Sequence, residues 1–169
     1  MSQMLTESEK HERLRKIMRG FRTAMLVTHT AGEGLRSRPL AVAESEGHGR
    51  IYFATSATSG KVTEIGNNPD VNISMQDDRT FVSITGRARL TSDRQLIEEL
   101  WSAAWKVWFP GGKDDPSLRL IEVEPIEAEY WDAGGLEGIK YLFQAAKALV
   151  TGAQPDSDRD ERRNAKITM

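Results

Sequence analysis

The sequence has no cysteine, few histidines and no long apolar run, and each absence excludes a class of protein. Without cysteine there are no disulfides and no thiolate chemistry. The three histidines are scattered and no His-Glu-x-x-His motif is present, so we assign no metal site. No apolar run approaches the ~18 residues of a membrane-spanning helix, and no secretion signal opens the chain. We therefore expect a cytoplasmic protein without a membrane partner.

An excess of charge of one sign is also lacking. The chain has 23 lysines and arginines against 25 aspartates and glutamates, for a net charge of -2. This balance provides no broad positive field to attract a nucleic-acid backbone, so nucleic acid is not an expected partner. At 169 residues the chain is long enough for one domain with its own core. Its basic residues must act locally, through their positions.

The spacing of apolar residues predicts six strands and three helices. Pro125 marks a bulge or an edge position in the last strand, because proline cannot donate to a ladder. The helices are predicted from Thr6 to about Gly20, from Ser59 to Asn68 and from Ser92 to Trp108. The strands are predicted over 23–30, 35–44, 51 to the hydroxyl residues at 55 and 56, 71–75, 82–90 and 118–131.

Consecutive short strands joined by tight turns predict an antiparallel barrel, because parallel neighbours would need long crossovers. We expect a mainly β fold with flanking helices, a six-stranded antiparallel barrel that occupies residues 1–135. A peripheral helix is expected over residues 136–150. From 151 to 169, four acidic and four basic residues mix with almost nothing apolar, which predicts a mobile charged tail.

Ser59 and Lys61 stand where the second helix begins, which is a favourable place for an anion. A lysine in the first helical turn is unfavourable with respect to the helix dipole by roughly 0.3–1 kcal/mol, and a bound phosphate would reverse that sign. Arg38, on a neighbouring strand, adds a bidentate donor for phosphate oxygens. Thr55 and Ser56 add hydroxyl groups. The set predicts a phosphate site.

Two other interpretations concern the same segment. Taken singly, each charged residue is more often a solvated surface group, and each hydroxyl more often serves a cap or a turn. Only the set as a whole favours a binding site. A P-loop is excluded, because Thr55 stands where the first glycine of that motif belongs and Val62 follows Lys61 instead of serine or threonine.

Three tryptophans, Trp101, Trp105 and Trp108, recur at helical spacing. Such a stripe is more often core or dimer packing than the wall of a cofactor site, and we expect packing for Trp101 and Trp105. For Trp108 the two roles, packing and cofactor contact, are about equally favoured, because it adjoins a Pro-Gly-Gly loop that is able to close over a flat ring.

Seven short segments follow one another in a distinctive order: R-S-R-P-L at 36–40, I-Y-F-A-T-S at 51–56, S-G-K-V-T-E-I at 59–65, N-N-P-x-V at 67–71, V-S-I-T-G-R-A-R-L at 82–90, W-F-P-G-G-K-D-D-P at 108–116 and A-E-Y-W-D at 128–132. This order resembles the pyridoxamine 5'-phosphate oxidase-like flavin-binding superfamily, and is most similar to its general stress protein 26 branch. The resemblance covers about residues 8–133. The last two segments are the more specific signals for that branch.

The resemblance implies a split β-barrel that forms a homodimer, with FMN in two symmetric clefts between the subunits. By the same resemblance, Arg38 and Lys61 match the positions that hold the FMN phosphate. Ser56 and Ser59 lie beside them. The substrate that the resemblance implies is a small redox-active molecule, whose identity stays open.

Other positions match the part of the family site that surrounds the flavin ring. Ala54 and Thr55 match the strand end whose backbone lies along the flavin. Trp131 matches a tryptophan that reaches FMN from the opposite subunit. Trp108 joins the candidate cofactor-binding residues through its loop, whereas Arg36 faces either the site, the surface or the dimer.

One position departs from the family pattern. Tyr141 stands where the pyridoxamine oxidases have an arginine that contacts flavin and substrate, so oxidation of pyridoxamine 5'-phosphate is not expected. No catalytic residue is assigned. Two functions stay open: an FMN-dependent oxidoreductase, and a non-catalytic flavin-binding stress-response module. Deazaflavin F420 and haem are alternative cofactors on the same fold, although no suitably placed histidine supports haem.

Overall fold

The computed structural model describes residues 5–32, 34–43, 49–132 and 164–169. Within these ranges the elements are α1 (Glu7–Met18), β1 (Thr23–His29), β2 (Leu35–Ala43), β3 (Ile51–Ser56), α2 (Gly60–Asn67), β4 (Asp70–Gln76), β5 (Thr80–Thr91), α3 (Arg94–Leu100), two short 3₁₀ segments (Ala103–Val107 and Gly112–Asp114), β6 (Leu118–Asp132) and β7 (Asn164–Thr168). None of the described helices is long and apolar enough to cross a membrane.

Six of the strands form a closed antiparallel barrel, which confirms the predicted fold class. Their order is β3-β2-β1-β4-β5-β6, and β3 also pairs with β6 to close the ring. The first three strands form a meander, and β4 and β5 form a hairpin. Sequential pairing of this kind follows from the short connections, which permit antiparallel neighbours but no parallel crossover.

The barrel interior holds the main core. Strand alternation turns every second residue inward, so apolar residues of all six strands meet there. Helix α1 begins with a capping box between Thr6 and Glu9 and adds Leu14 to this core. The largest buried side chains of the barrel strands in this cluster are Leu26, Phe53, Ile73, Ile84, Ile121 and Tyr130.

A second apolar cluster lies against the outer face of β3 and β6. It corrects the prediction of one helix from Ser92 to Trp108: α3 ends at Leu100, and a separate 3₁₀ segment follows. Trp101 and Ser102 have ψ angles of 129° and 135°, which lie outside the helical range, so they separate α3 from the 3₁₀ segment. The break lets Trp105 pack edge-on against Trp101, with ring centroids 5.6 Å apart, and fill the cluster. Packing thus overrides helical periodicity here.

A β-bulge interrupts the pairing of β5 with β6, as Pro125 predicts. Thr85 pairs with Glu127 and Gly86 pairs with Pro125, so Ile126 is the extra residue. Gly86 fits because the backbone of β6 comes very close: a Cβ atom there would lie 2.6 Å from the carbonyl oxygen of Glu124. A bulge of this kind bends its strand. It lies in β6 between the part that pairs with β3 and the part that pairs with β7.

The prediction of a mobile tail over 151–169 is corrected at 164–168, and residues 151–163 lie outside the described residues. Asn164–Thr168 forms β7, which pairs antiparallel with β6 as a seventh strand. Ala165 and Ile167 are buried, and Lys166 forms an ion pair with Glu127 at 2.8 Å. Alternation over only five residues is a weak sequence signal for a strand. The strand forms because the edge of β6 beside it offers backbone partners. The predicted helix over 136–150 lies outside the described residues.

Candidate functional site

Arg36 and Arg38 lie two residues apart on one face of β2, near the start of this strand and next to the turn of the β1–β2 hairpin. The Arg38 side chain is 18% exposed, and that of Arg36 is 61% exposed. Arg38 donates from Nη2 to Glu64 Oε2 at 2.7 Å and from Nη1 to Thr28 Oγ1 at 3.0 Å. Arg36 donates from Nη1 to Glu64 Oε1 at 3.1 Å. Both arginines therefore meet one carboxylate of α2.

Glu64 is the residue that the sequence interpretation missed. It is buried, on the face of α2 that packs on the barrel, and it accepts a 2.6 Å hydrogen bond from the fully buried Thr28 hydroxyl. Burial alone would raise the pKa of Glu64, but the hydrogen bonds from Thr28 and Arg38 and the charges of both arginines bring that pKa below its ordinary value. One sequence signal could have indicated Glu64: it is an ionisable residue directly before Ile65, which was predicted to face inward.

Lys61 lies in the first turn of α2 and is bonded to two predicted site residues. Its Nζ donates to Ser59 Oγ at 2.6 Å and to Thr55 Oγ1 at 3.2 Å. Ser59 occupies the N-cap position of α2, but its hydroxyl makes no capping bond with the helix. Burial and the charge of Arg38 lower the pKa of Lys61, while Glu64 acts in the opposite direction. Arg38 and Lys61 are thus electrostatic neighbours.

Two further predicted residues, Ala54 and Ser56, lie at the end of β3 close to Thr55. Ser56 Oγ is 3.0 Å from Thr58 Oγ1 and accepts a 3.3 Å hydrogen bond from the Thr58 backbone N–H. Ala54 packs against the second apolar cluster, on the opposite face of β3 from Thr55. The structure therefore brings Arg38, Thr55, Ser56, Ser59 and Lys61 to one end of the barrel.

Of the two predicted tryptophans, Trp131 lies away from this place within its own chain. Trp108 follows the first 3₁₀ segment and is 67% exposed, and Trp131 is 38% exposed next to its register partner Phe81. Leu118 pairs with Ser56 at the beginning of β6, and Trp131 lies 13 residues farther along that strand. At ~3.3 Å per residue this is roughly 40 Å of strand. Trp131 lies toward the opposite end of the barrel.

The charges at the start of α2 suit an anion of charge about -2. Arg36, Arg38 and Lys61 supply three positive charges, and Glu64 offsets one of them, so the set has a net charge of +2. The first backbone N–H groups of a helix add donors that the helix itself does not use. A phosphate monoester, which carries about -1.5 to -2 at neutral pH and accepts several hydrogen bonds, matches this donor set.

Comparison with known proteins now decides the family. The model of the family described as pyridoxamine 5'-phosphate oxidase like matches residues 9–156. The chain belongs to this family. General stress protein 26 of Bacillus subtilis is 36% identical over 89 residues, which cover 50% of this chain and 63% of that protein. Protein bli-3 of Neurospora crassa is 29% identical over 134 residues, which cover 72% and 64%. The chain thus spans a little under two thirds of the length of these relatives.

Solved structures of other proteins share this barrel. The general stress FMN/FAD binding protein of Xanthomonas citri is 27% identical, with a TM-score of 0.66 over 76% of this chain and 92% of that chain. General stress protein 26 of Bacillus anthracis is 27% identical, with a TM-score of 0.64 over 70% and 91%. A protein of Jannaschia sp. CCS1 superposes with a TM-score of 0.72 over 96% and 99%, and at 24% identity it shows the fold alone.

Proposed function

We propose that this protein binds FMN, with the phosphate of the flavin held at the start of α2 by Arg38 and Lys61. The observation that supports this most directly is the meeting of two partly buried cations, from β2 and α2, beside the Thr55 and Ser59 hydroxyls. Burial lowers the pKa of Lys61, and the electrostatic repulsion by Arg38 lowers it further. A dianion bound between Arg38 and Lys61 would replace this repulsion with attraction.

The name of one structural neighbour supports a flavin phosphate as the anion. A protein of the same fold that is 27% identical to this chain is described as an FMN/FAD binding protein, and FMN ends in a phosphate monoester. We infer that Ser56 and Ser59 line the same phosphate site and that Ala54 and Thr55 border the flavin. Trp108 stays a candidate for the ring, because its exposed side chain adjoins the loop that begins at Phe109.

We further propose a homodimer in which Trp131 acts in the site of the other subunit. The strand distance between Trp131 and Ser56 supports this, since a contribution of Trp131 within its own chain would have to cross most of the barrel. Phe81, Ile126 and Trp131 are large apolar side chains that remain exposed on β5 and β6. Covering them requires another surface.

The activity that fits this site is a flavin-dependent oxidoreductase with an unassigned small-molecule substrate. Bound FMN would supply the redox chemistry. The protein's own residues have simpler tasks: Arg38 and Lys61 bind the phosphate, the hydroxyls of Thr55 and Ser59 hold the Lys61 ammonium in place, and the buried Glu64 keeps its negative charge beneath the arginines.

Titration with FMN, with riboflavin as the ligand that lacks the phosphate, tests the binding proposal. We expect flavin fluorescence to report saturable FMN binding. Arg38→Ala and Lys61→Ala should each weaken FMN about 10- to 100-fold, because a hydrogen bond to a charged group contributes about 1.5–3 kcal/mol, and should leave riboflavin unchanged. Arg87→Ala, at a 70% exposed position on β5, is the matched control. A wild-type protein that binds no flavin would refute the proposal.

Turnover separates the enzyme from the non-catalytic module. The FMN-loaded protein is mixed with NADH or NADPH under anaerobic conditions, and the flavin absorbance is followed before and after an electron acceptor is added. Reduction followed by reoxidation supports the oxidoreductase. Stable binding with no reduction by either nucleotide supports the stress-response module.

A further inference from the structure

Thr28, Arg38 and Glu64 form a closed ring of hydrogen bonds beneath the proposed phosphate site. Arg38 donates to both partners, at 3.0 Å to Thr28 Oγ1 and 2.7 Å to Glu64 Oε2, and the Thr28 hydroxyl donates to the same Oε2 at 2.6 Å. The three residues come from β1, β2 and α2. The ring therefore ties the guanidinium to two other elements instead of leaving it on a long flexible side chain.

The Glu64 carboxylate is unfavourable for an anion site in two ways. Glu64 is buried, and a buried charge costs free energy unless it is paired and hydrogen-bonded. It also opposes the binding of any anion by lowering the positive charge from +3 to +2. A site selected only for positive charge would carry no glutamate. The geometry offers a compensating gain, which is orientation.

We propose that Glu64 is a positioning residue for the phosphate site: it holds the Arg38 guanidinium in place for the ligand and offsets the charge that Arg38 exerts on Lys61. This role rests on the proposed function, since it concerns the same site. Two of the five N–H groups of Arg38 are bonded to Thr28 and Glu64, which leaves three for phosphate oxygens. The opposing effects of Glu64 and Arg38 on the pKa of Lys61 agree with the second part.

The removal of Glu64 has two effects of opposite sign, and this makes the proposal decidable. Loss of the negative charge strengthens the attraction for phosphate, whereas loss of the hydrogen bonds lets the Arg38 side chain sample other rotamers. If Glu64 is only a structural ion pair, the first effect dominates and FMN binds more tightly. If Glu64 positions Arg38, the second dominates and FMN binds more weakly.

The test compares FMN and riboflavin affinities of the wild type, Glu64→Ala and Glu64→Gln. We expect Glu64→Ala to weaken FMN at least tenfold while riboflavin changes less than twofold. Glu64→Gln keeps an oxygen that accepts from Arg38, so it should recover part of the loss and stay folded if Glu64→Ala does not. Glu12→Gln, an exposed change of the same charge on α1, is the matched control and should change neither affinity.

Each outcome has a separate meaning. Weaker FMN binding in Glu64→Gln or Glu64→Ala, with riboflavin retained, supports positioning. Unchanged or tighter FMN binding overturns it and leaves the proposed function intact, and an equal loss of both flavins also overturns it, because that pattern reports damage to the whole site. A wild type that binds neither flavin refutes the proposed function together with this role.

Discussion

At the scale of single residues, the site depends on an unusual lysine. Lys61 has neutral partners, the hydroxyls of Thr55 and Ser59, while the nearby Arg38 disfavours its charged form. Burial also disfavours that charge, and Glu64 compensates it only in part, so the ammonium is held in position with too little negative charge nearby. A bound phosphate would provide the missing negative charge, and the state of protonation of Lys61 becomes a probe of that event.

The lowered pKa of Lys61 predicts an alkaline limit to FMN binding. The ammonium attracts phosphate and the neutral amine does not, so the ratio of FMN to riboflavin affinity should fall at a lower pH than an ordinary lysine would require. Lys61→Arg keeps its charge and should hold the ratio constant. Titrations between about pH 7 and pH 10 measure this. An equal fall in wild type and Lys61→Arg would contradict it.

The same shift acts on folding stability with the opposite sign. Between the lowered folded pKa and the ordinary unfolded value, the unfolded chain binds more protons at Lys61, so this residue's contribution to stability rises with pH in that window. Alkaline conditions thus favour the free fold while they weaken phosphate binding. Deprotonation of Lys61 therefore does not destabilise the fold, and a loss of FMN affinity in this pH window is not explained by unfolding that this residue causes.

At the scale of elements, the β-bulge between β5 and β6 depends on close approach of two backbones. Gly86→Ala would place its Cβ 2.6 Å from the Glu124 carbonyl oxygen, so the strands must move apart. We expect a loss of roughly 1–3 kcal/mol in the free energy of unfolding. Gly66→Ala, in α2 with no atom within 4 Å of the new Cβ, is the control and should be neutral or stabilising. Urea unfolding measures both.

Equal midpoints for the two alanine variants would show that β5 and β6 separate freely at the bulge. That result would contradict the interpretation of the bulge as a fixed bend. Since β6 pairs with β3 on one side and continues past the bulge to Trp131, its bend sets where that tryptophan lies relative to the barrel.

At the scale of the whole molecule, subunit mixing tests whether a site is shared between two chains. Co-expression of Arg38→Ala with Trp131→Ala produces mixed dimers in which one site combines the intact Arg38 of one subunit with the intact Trp131 of the other. With random pairing about a quarter of all sites should regain wild-type FMN affinity. FMN titration of the mixture, compared with each variant alone, measures the recovery.

Recovery of a tight-binding fraction in the mixture supports the shared site, provided that Trp131→Ala alone weakens FMN. If the mixture behaves as the sum of its two components, Trp131 does not act across the interface. Sedimentation of the wild type at micromolar concentration gives an independent measurement, and a monomer there would contradict the homodimer.

Local sequence patterns predicted much of the barrel, because strand alternation and turn residues act over short distances. The Thr6 capping box, the hairpins and the bulge near Pro125 all follow from neighbouring residues. The helix through Trp101 and the mobile tail over residues 164–168 were wrong for one common reason. In both, a surface made by distant residues decides the structure: the second apolar cluster for Trp105, and the free edge of β6 for Ile167.

The sequence by itself determined the family, the antiparallel barrel and the donors placed near the start of α2, since each of these depends on residue type and spacing. Only the tertiary structure decided that Glu64 and Thr28 lie under Arg38, and that Trp131 lies far along β6 from Ser56. The physical reason is the same for both: closing the barrel brings together residues from separate strands and separates residues of one strand, and no local pattern encodes that distance.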